Sequence, residues 1–296
     1  MGGNIGIIGI GIMGSAIASN LIKAGFTLAG YDIDPQKLKV FVEMGGKPTS
    51  SCQEVAEEAS VIITSLPSNH ALHEVVSGQK GIATVKKKDL IVIETSTLDL
   101  EAKEAACKVL KDIGIEMLDA PLSGTGAQAR KKDISVYSSG DKKAHDSCKP
   151  VFDGFARSTH YIGEFGTGTK MKLVANLLVT IHNVASAEAF VFGMKSGLDP
   201  HLMHKVISDG GGSSRMFEVR GPLMAEGKYD EPTMKMELHQ KDIRIISSFA
   251  EKIKCPTPLL SASAQFYTAA LAQGRAKEDT GAVCAILEQI AGIKRG

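Results

Sequence analysis

The sequence predicts an α/β fold with two domains, a doubly wound parallel sheet followed by an all-helical C-terminal domain. Three observations support this prediction. An isoleucine-rich run at residues 4–10 leads through a glycine-rich turn, GIGIMG, into a helical segment. Short apolar runs then alternate with helical segments as far as residue 162, which indicates a parallel sheet with helices on both faces. Beyond residue 168 no convincing strand follows.

Seven short apolar runs are predicted as strands of the first domain. They occupy residues 4–10, 26–31, 60–65, 90–96, 115–119, 134–139 and 158–162. Segments with helical spacing lie among them, at residues 15–24, 35–43, 53–58 and 102–112. This alternation, together with the glycine-rich turn after the first strand, is typical of a Rossmann-type domain.

The second domain is predicted to contain long helices that end at clear breakers. These breakers are Gly197, the run 210–212, Gly227, and Pro256 with Pro258. We therefore expect a dinucleotide-binding domain over residues 1–164 and a helical substrate and dimerisation domain over residues 165–296. A long helix near residues 168–196 joins them, and its nearly all-round apolar character predicts a core helix.

Composition excludes several classes of protein. The 296 residues carry a net charge of +1, and no basic stripe with interleaved aromatics is present, so we expect no binding to nucleic acid. The longest apolar stretch, residues 173–193, contains Asn176, His182, Asn183 and Glu188, which argues against a membrane span. The five cysteines form no CxxC pair, and no His, Cys and Asp cluster has ligand spacing, so no metal is expected. With no targeting segment visible, we expect a reduced, cytoplasmic protein.

The glycine-rich turn has the G-x-G-x-x-G spacing of a dinucleotide-binding loop. Its six residues, Gly9, Ile10, Gly11, Ile12, Met13 and Gly14, are candidate cofactor-binding residues. The first glycine permits a tight turn, the second lets the backbone approach a pyrophosphate, and the third lets the helix pack on the strand. The helix N-terminus then faces the phosphates. The alternative is an ordinary turn with packing glycines.

Asp32 lies 18 residues after Gly14, at the end of the second predicted strand. A carboxylate at this spacing accepts hydrogen bonds from a ribose diol and repels a 2′-phosphate. No arginine is adjacent, and the nearest cations are Lys37 and Lys39. The sequence therefore favours NAD over NADP. Asp32 could instead cap the helix that begins at Pro35, but Asp34 fits that role better.

Two further strand ends point to the same crevice, because ligands of such sheets bind outside the carboxyl ends of the strands. The first continues into Leu66 and Pro67, and the second into Thr97. Their backbone groups and hydroxyl suit a ribose or a nicotinamide amide. Both could equally be generic strand-to-loop transitions.

The stretch GTGTKMKLVANLL begins the long helix with two lysines that cannot serve one site. Lys172 and Asn176 lie one helical turn apart, whereas Lys170 lies about 200° away from Lys172 around the axis. A polar stripe on an apolar helix is costly unless it lines a cavity. Lys172 is therefore a candidate general acid or base, and Lys170 a solvated charge.

A second anion-binding candidate is the loop DAPLSGTGA, residues 119–127, which follows a strand. Ser123 and Gly124 can present a hydroxyl and backbone N–H groups to a carboxylate, although a plain turn is the alternative. Lys241, in the segment QKD of a later helix, would read as a surface lysine from spacing alone.

Four of these segments together resemble signatures of the β-hydroxyacid dehydrogenase family, in the right order across nearly the whole chain. GIGIMGSAIASNL is similar to the cofactor-binding signature, DAPLSG to the substrate loop, GEFGTGTKMKLVANLL to the catalytic helix, and QKD to a C-terminal lysine motif. The family includes 3-hydroxyisobutyrate dehydrogenase, tartronate semialdehyde reductase and glyoxylate/succinic semialdehyde reductase. It also includes, more distantly, 6-phosphogluconate dehydrogenase.

The resemblance implies a role for each matched residue. Lys172 would be the catalytic lysine, with Asn176 orienting it and holding the substrate hydroxyl. Ser123 and Gly124 would bind the substrate carboxylate, and Thr97 would lie near the nicotinamide. Lys241 would close over the cofactor, and Asp32 matches NAD-preferring members, where NADP-preferring ones often carry Asn-Arg. The implied substrate is a small carboxylate, a β-hydroxyacid or semialdehyde.

Two departures from the family pattern leave the substrate open. Thr125 stands in the loop as SGT where many members have SGG, and Lys132 stands near a position that is commonly glycine. Thr125 is therefore a further candidate substrate-binding residue.

Other readings of the chain are a dinucleotide-binding sensor without catalysis, an imine-reducing enzyme and a decarboxylating sugar-acid dehydrogenase. The long apolar helix and the alanine-rich stretch 261–276 suggest buried interfaces, as in a homodimer or homotetramer.

Overall fold

The computed structural model describes residues 4–295 of the chain. These residues form two compact units, one that ends at Lys172 and one that begins at Leu173. The division lies inside a single helix, which runs without a break from Thr167 to Lys195. The predicted domain boundary, between residues 164 and 165, precedes this helix and stays a prediction.

The first unit is built on a nine-stranded sheet that is mostly parallel. Its strands are β1 Ile5–Ile8, β2 Leu28–Tyr31, β3 Lys47–Pro48, β4 Val61–Thr64, β5 Ile91–Glu94, β6 Glu116–Asp119, β7 Leu122–Ser123, β8 Ser135–Ser139 and β9 Ser158–Gly163. The order is 3-2-1-4-5-6-8-7, with β9 paired to β8. The first six strands have the order typical of dinucleotide-binding domains. Two pairs are antiparallel, β6 with β8 and β7 with β8, and the larger part of the sheet is parallel as predicted.

Eight helices accompany this sheet before the long helix begins. They are α1 Ile12–Lys23, α2 Pro35–Glu43, α3 Cys52–Glu58, α4 Asn69–Ser77, α5 Leu100–Lys111, α6 Gly126–Arg130, α7 Lys142–Ser147 and α8 Lys149–Phe155, with a short 3₁₀ turn at Ile82–Thr84. Helix α1 begins three residues earlier than predicted, because the glycine-rich turn itself supplies its first residues. The sequence analysis did not predict α4, α6, α7 or α8.

Both faces of the sheet are buried, as the fold class predicts. Successive strand residues alternate between two apolar clusters: Ile7 and Ile63 pack with α1 and α8, whereas Ile8 and Ile62 pack with α3 and α4. This alternation follows from the two-residue period of a strand. The sheet is thereby enclosed on both sides, and its accessible positions lie at the strand ends.

The second unit is helical. After the remainder of α9 (Thr167–Lys195) come α10 Pro200–Ser208, α11 Arg215–Glu226, α12 Met236–Lys252, α13 Pro258–Ala272 and α14 Val283–Ile290, with a 3₁₀ turn at Thr280–Ala282. Among its described residues, the β-type pairing consists of one isolated bridge between Lys235 and Asp279. Gly227 ends α11 in the left-handed conformation with φ +69°, whereas Pro258 opens α13 rather than ending a helix.

Helix α9 buries a stripe of polar residues. By length and composition alone it could cross a membrane. Its Asn176, Thr180 and Asn183 side chains are nevertheless buried and hydrogen-bonded to side chains of α12 and α13. Val174 and Leu178, on another stripe, are 57% and 46% exposed. The helix does contribute to a core, as predicted, through the buried Val184, Ala187, Phe190 and Val191. It is not apolar nearly all round, because its buried face also includes these polar side chains.

A buried ion pair holds α11 to the chain before α14. The Arg220 Nε donates to Asp279 Oδ1 at 3.1 Å and to Thr280 Oγ1 at 2.7 Å, and both charged side chains are buried. Burial alone would raise the pKa of Asp279. The Arg220 guanidinium and hydrogen bonds from Gly281 and Thr233 outweigh it and hold the pKa below the usual 3.8.

Arg220→Met should destabilise the protein by about 3–5 kcal/mol, because it leaves a buried carboxylate without its cation. Urea unfolding at neutral pH measures this. The pKa of Asp279 in the folded wild type is depressed. The difference in free energy of unfolding between the variant and the wild type should therefore shrink as the pH falls below 3.8. The control is Arg215→Met on the same helix, whose 71%-exposed side chain pairs with Glu218 and should contribute under about 1 kcal/mol. Equal effects of the two substitutions would contradict the account.

Candidate active site

The first and third glycines of the turn are required by the protein itself. Gly9 follows β1 with φ +87°, and a Cβ there would lie 2.2 Å from the Ser65 carbonyl oxygen. A Cβ on Gly14 would lie 2.0 Å from the Gly9 carbonyl oxygen. Both contacts are far inside van der Waals distance and involve backbone, which cannot rotate away. These two glycines therefore fix the approach of α1 to the turn.

Gly11 has no such constraint. Its φ is −73°, and a Cβ there would meet nothing within 4 Å. It is the N-cap residue of α1, and no side chain caps this helix. A pyrophosphate lying over Gly11 accounts for both observations, since it needs close backbone approach and binds the N–H groups of a helix start. The turn therefore fits a dinucleotide.

Asp32 is anchored directly to this turn. Its Oδ2 accepts from the Ile10 N–H at 2.7 Å and its Oδ1 from the Asp34 N–H at 2.9 Å, with the Lys37 Nζ 3.5 Å away. Each carboxylate oxygen has a further lone pair for a ribose hydroxyl. The helix-capping role falls to Asp34, which accepts from the Gln36 N–H, as predicted.

The strand ends that lead to Leu66 and Thr97 are tied together. The Leu66 N–H donates to Ser96 Oγ at 2.7 Å, and the Ser96 N–H donates to Glu94 Oε1 at 2.7 Å. Leu66 and Thr97 are half-buried and Pro67 is exposed. The structure thus brings the loops after β4 and β5 together at the carboxyl edge of the sheet, next to the glycine turn that follows β1.

The loop after β6 is held by a strand pairing, a glycine with positive φ and a helix cap, which the sequence only partly reveals. Ser123 pairs with Ser135 of β8, and Gly124 has φ +138°, where an L side chain is strained. Thr125 caps α6: its Oγ1 accepts from the Gln128 N–H, and its own N–H donates to Gln128 Oε1. The Thr125 hydroxyl is therefore engaged within the loop. Lys132 has φ +60°, which explains why glycine suits this position.

The two lysines of α9 differ in burial. Lys170 is exposed, whereas Lys172 is half-buried. One turn after Lys172, the Asn176 Nδ2 donates to Asp242 Oδ2 at 2.9 Å, and both side chains are buried. This bond fixes the rotation of the Asn176 amide. Lys241 precedes Asp242 on α12, with its Nζ 3.6 Å from Asp242 Oδ1.

A second polar layer lies one turn further along α9. The Thr180 hydroxyl lies 2.9 Å from His239 Nε2 and donates to the Asn176 carbonyl, and the Tyr267 hydroxyl donates to the Thr180 carbonyl. Asn176 is thus supported on its far side by hydrogen-bonded groups rather than by loose packing.

Sequence analysis missed four charged residues close to the predicted site residues: Glu94, Lys103, Asp119 and Asp242. Two of them stand inside the quoted motifs, Asp119 at the start of DAPLSG and Asp242 at the end of QKD. The burial of Lys103 could have been predicted from helical spacing, because it shares a helical face with the apolar Ala106 and Leu110. Among residues 4–295, no group of three His, Cys, Asp or Glu side chains is arranged to hold a metal ion.

Comparison with known proteins decides the family. Residues 4–163 match the family model described as the NAD binding domain of 6-phosphogluconate dehydrogenase. Residues 166–287 match the one described as the NAD-binding of NADP-dependent 3-hydroxyisobutyrate dehydrogenase. The chain belongs to the β-hydroxyacid dehydrogenase family. It is an NAD(P)-dependent oxidoreductase that acts on hydroxyacids, as the sequence motifs predicted.

Relatives and solved structures agree over almost the full length. The chain is 33% identical to L-threonate dehydrogenase of Cupriavidus necator, covering 98% of both chains. It is 31% identical to mitochondrial 3-hydroxyisobutyrate dehydrogenase of Mus musculus, covering 96% of this chain and 87% of the relative. A solved structure of Mycobacterium tuberculosis 3-hydroxyisobutyrate dehydrogenase with L-serine matches with TM-score 0.89 and 25% identity, covering 97% and 99% of the two chains. These matches confirm the predicted fold class.

The different constraints on Gly11 and Gly14 predict different defects for the same substitution. Gly14→Ala should destabilise the fold by about 1–3 kcal/mol, because its Cβ overlaps a backbone oxygen. Gly11→Ala should leave the melting temperature unchanged and weaken dinucleotide binding about ten-fold, or 1.4 kcal/mol. Thermal melting and titration with NAD and NADP measure the two effects. Wild-type dinucleotide affinity in Gly11→Ala would contradict the assignment of this turn to the pyrophosphate.

Proposed function

We propose that this enzyme oxidises a small β-hydroxyacid reversibly with NAD, with Lys172 as the general acid and base. The observation that carries the proposal is the polar face of α9. Lys172 is half-buried, and the Asn176 amide one turn later is buried and fixed by Asp242. Groups one turn apart lie on the same face of a helix, and this juxtaposition of an amine and a fixed amide supports a polar ligand beside them.

Lys172 performs the proton transfer in this proposal. When bound, the dinucleotide accepts or supplies the hydride. In the oxidative direction the Lys172 amine takes the proton of the substrate hydroxyl. In the reductive direction its ammonium stabilises the developing oxyanion and returns the proton. Asn176 orients the substrate hydroxyl and Lys172, and it can do so because Asp242 fixes its amide.

The substrate carboxylate is assigned to the loop after β6. Ser123 offers its hydroxyl, and Gly124 offers a backbone N–H that only a glycine presents at φ +138°. Thr125 supports this loop as the cap of α6, so its contribution to substrate selection comes through loop shape and its backbone. Relatives named for L-threonate, 3-hydroxyisobutyrate, and glyoxylate and succinic semialdehyde support a short hydroxyacid or its semialdehyde as substrate.

NAD is the proposed dinucleotide. The Asp32 carboxylate is held in place by the Ile10 and Asp34 N–H groups and cannot turn away from a 2′-phosphate. The C-terminal family model is described by an NADP-dependent enzyme, whereas the Asp32 carboxylate favours NAD. We base the choice of NAD on Asp32. We place Thr97 near the nicotinamide and Lys241 over the cofactor, as in the resemblance above.

We further propose a cytoplasmic homodimer or homotetramer. The apolar face of α9 supports the assembly, because Val174, Leu178 and Phe192 are 57%, 46% and 76% exposed in the single chain. Exposed apolar positions repeated along one helix are typical of an interface.

The proposed reaction is tested with a panel of L-threonate, 3-hydroxyisobutyrate, glyoxylate and succinic semialdehyde, followed by nicotinamide absorbance. With the best substrate, Lys172→Ala should lower kcat by about 10²–10⁴-fold, because it removes the proton-transfer group. Its dinucleotide affinity should stay at the wild-type value. Lys170→Ala, on the exposed side of the same helix turn, is the matched control and should keep wild-type kcat. Equal turnover by the two variants would refute the assignment.

The dinucleotide preference is tested at residues 32 and 33. Asp32→Asn with Ile33→Arg should lower the ratio of kcat/KM for NAD over NADP at least about ten-fold, because repulsion of the 2′-phosphate is replaced by attraction. Ile33 is 88% exposed, so arginine fits there without repacking. The single variant Ile33→Arg keeps the carboxylate and should shift the ratio less. If the double variant keeps the wild-type ratio of kcat/KM for NAD over NADP, the assignment of NAD from Asp32 is contradicted.

A further inference from the structure

A lysine with no exposed surface lies between the ends of two adjacent strands. Lys103, on α5, donates from its Nζ to Asp119 Oδ1 at 2.9 Å, and the Nζ lies 3.8 Å from Glu94 Oε1. Glu94 and Asp119 are the last residues of β5 and β6 and are paired in register. All three side chains are 0% exposed. Two buried carboxylates side by side need a cation, and Lys103 supplies it.

The Glu94 carboxylate holds the strand ends assigned to the dinucleotide. Its Oε1 accepts from the Ser96 N–H, and its Oε2 accepts from the Thr64 hydroxyl at 2.5 Å. Ser96 in turn accepts from the Leu66 N–H. Through these bonds Glu94 sets the loops that follow β4 and β5, which include Thr97.

The Asp119 carboxylate holds the start of α9. Its Oδ2 accepts from the Thr169 N–H at 2.7 Å and its Oδ1 from the Thr169 hydroxyl at 2.7 Å. The neighbouring Gly168 N–H donates to Ser139 Oγ, which also bonds Asp119. Two N–H groups of the first turn, which have no partner within a helix, are thus bound by the sheet. Lys172 lies on the next turn of the same helix.

We infer that Lys103 is a positioning residue for the reaction proposed above, and the inference rests on that proposed function. Its ammonium holds Glu94 and Asp119 together, so the dinucleotide loops and the first turn of the Lys172 helix keep one relative position. Without the cation, the two carboxylates repel each other or draw in water, and the strand ends separate. Lys103 itself has no access to substrate, so its effect on turnover passes through Asp119 and Thr169.

The test compares Lys103→Met with Lys108→Met on the same helix. Lys108 is 74% exposed and pairs with Asp112, so its substitution should change nothing. Lys103→Met should lower kcat about 10²-fold, because a displacement of about 1 Å suffices for such a loss. Dinucleotide affinity should change far less, since the glycine turn and Asp32 are untouched. A merely structural role would lower the melting temperature without this split between kcat and affinity.

Hydrogen exchange supplies a readout that needs no turnover. Amides of residues 166–172 should exchange faster in Lys103→Met than in the wild type, because Asp119 no longer holds the Thr169 N–H in one place. Lys108→Met should exchange like the wild type. If the wild-type enzyme fails to turn over any hydroxyacid, the proposed function fails, whereas the exchange measurement still decides whether Lys103 holds the start of α9.

A double variant tests the role of charge. Lys103→Met with Glu94→Gln restores the net charge of the wild-type trio and should keep kcat within about ten-fold of the wild type. If Lys103→Met does not fold, the test passes to the double variant. The inference then requires that the double variant folds and keeps kcat within about ten-fold of the wild type. Three results would each overturn the inference. These are wild-type kcat in Lys103→Met, lost kcat with unchanged exchange at residues 166–172, and a double variant outside the ten-fold criterion.

Discussion

The carboxylate of Asp119 makes the contacts on which the position of the start of α9 depends. It ends β6, immediately before the loop of Ser123 and Gly124, and it binds both the N–H and the hydroxyl of Thr169. One side chain therefore ends the strand before the loop of Ser123 and Gly124 and also binds the first turn of α9.

The carboxyl edge of the sheet gathers the other functional groups for a topological reason. In a parallel sheet every strand ends at the same edge, so residues distant in sequence meet there without long loops. The glycine turn follows β1, Asp32 follows β2, Leu66 follows β4 and Thr97 follows β5. Glu94 and Asp119 meet in register for the same reason. The buried ion pairs are thus a consequence of the fold that also builds the dinucleotide site.

Sequence patterns predicted what depends on local spacing and missed what depends on tertiary pairing. The glycine turn follows from a fixed motif spacing. The strand runs and the difference between Lys170 and Lys172 follow from periods of two and 3.6 residues. The strands β3 and β7 have two residues each, too few to show a period. Lys103 was missed because lysine is ordinarily assigned to solvent. Its burial depends on two carboxylates 25 residues apart in sequence, which only the register of β5 and β6 brings together.

Helix α9 has two faces of opposite character. Its polar stripe, which includes Asn176 and Thr180, faces inward, and the stripe of Val174 and Leu178 faces outward. Both follow from one helical phase, since each residue advances about 100°. A change of phase that buried Val174 would expose Asn176 and break its bond to Asp242. The apolar outer face of α9 is therefore the counterpart of its polar inner face.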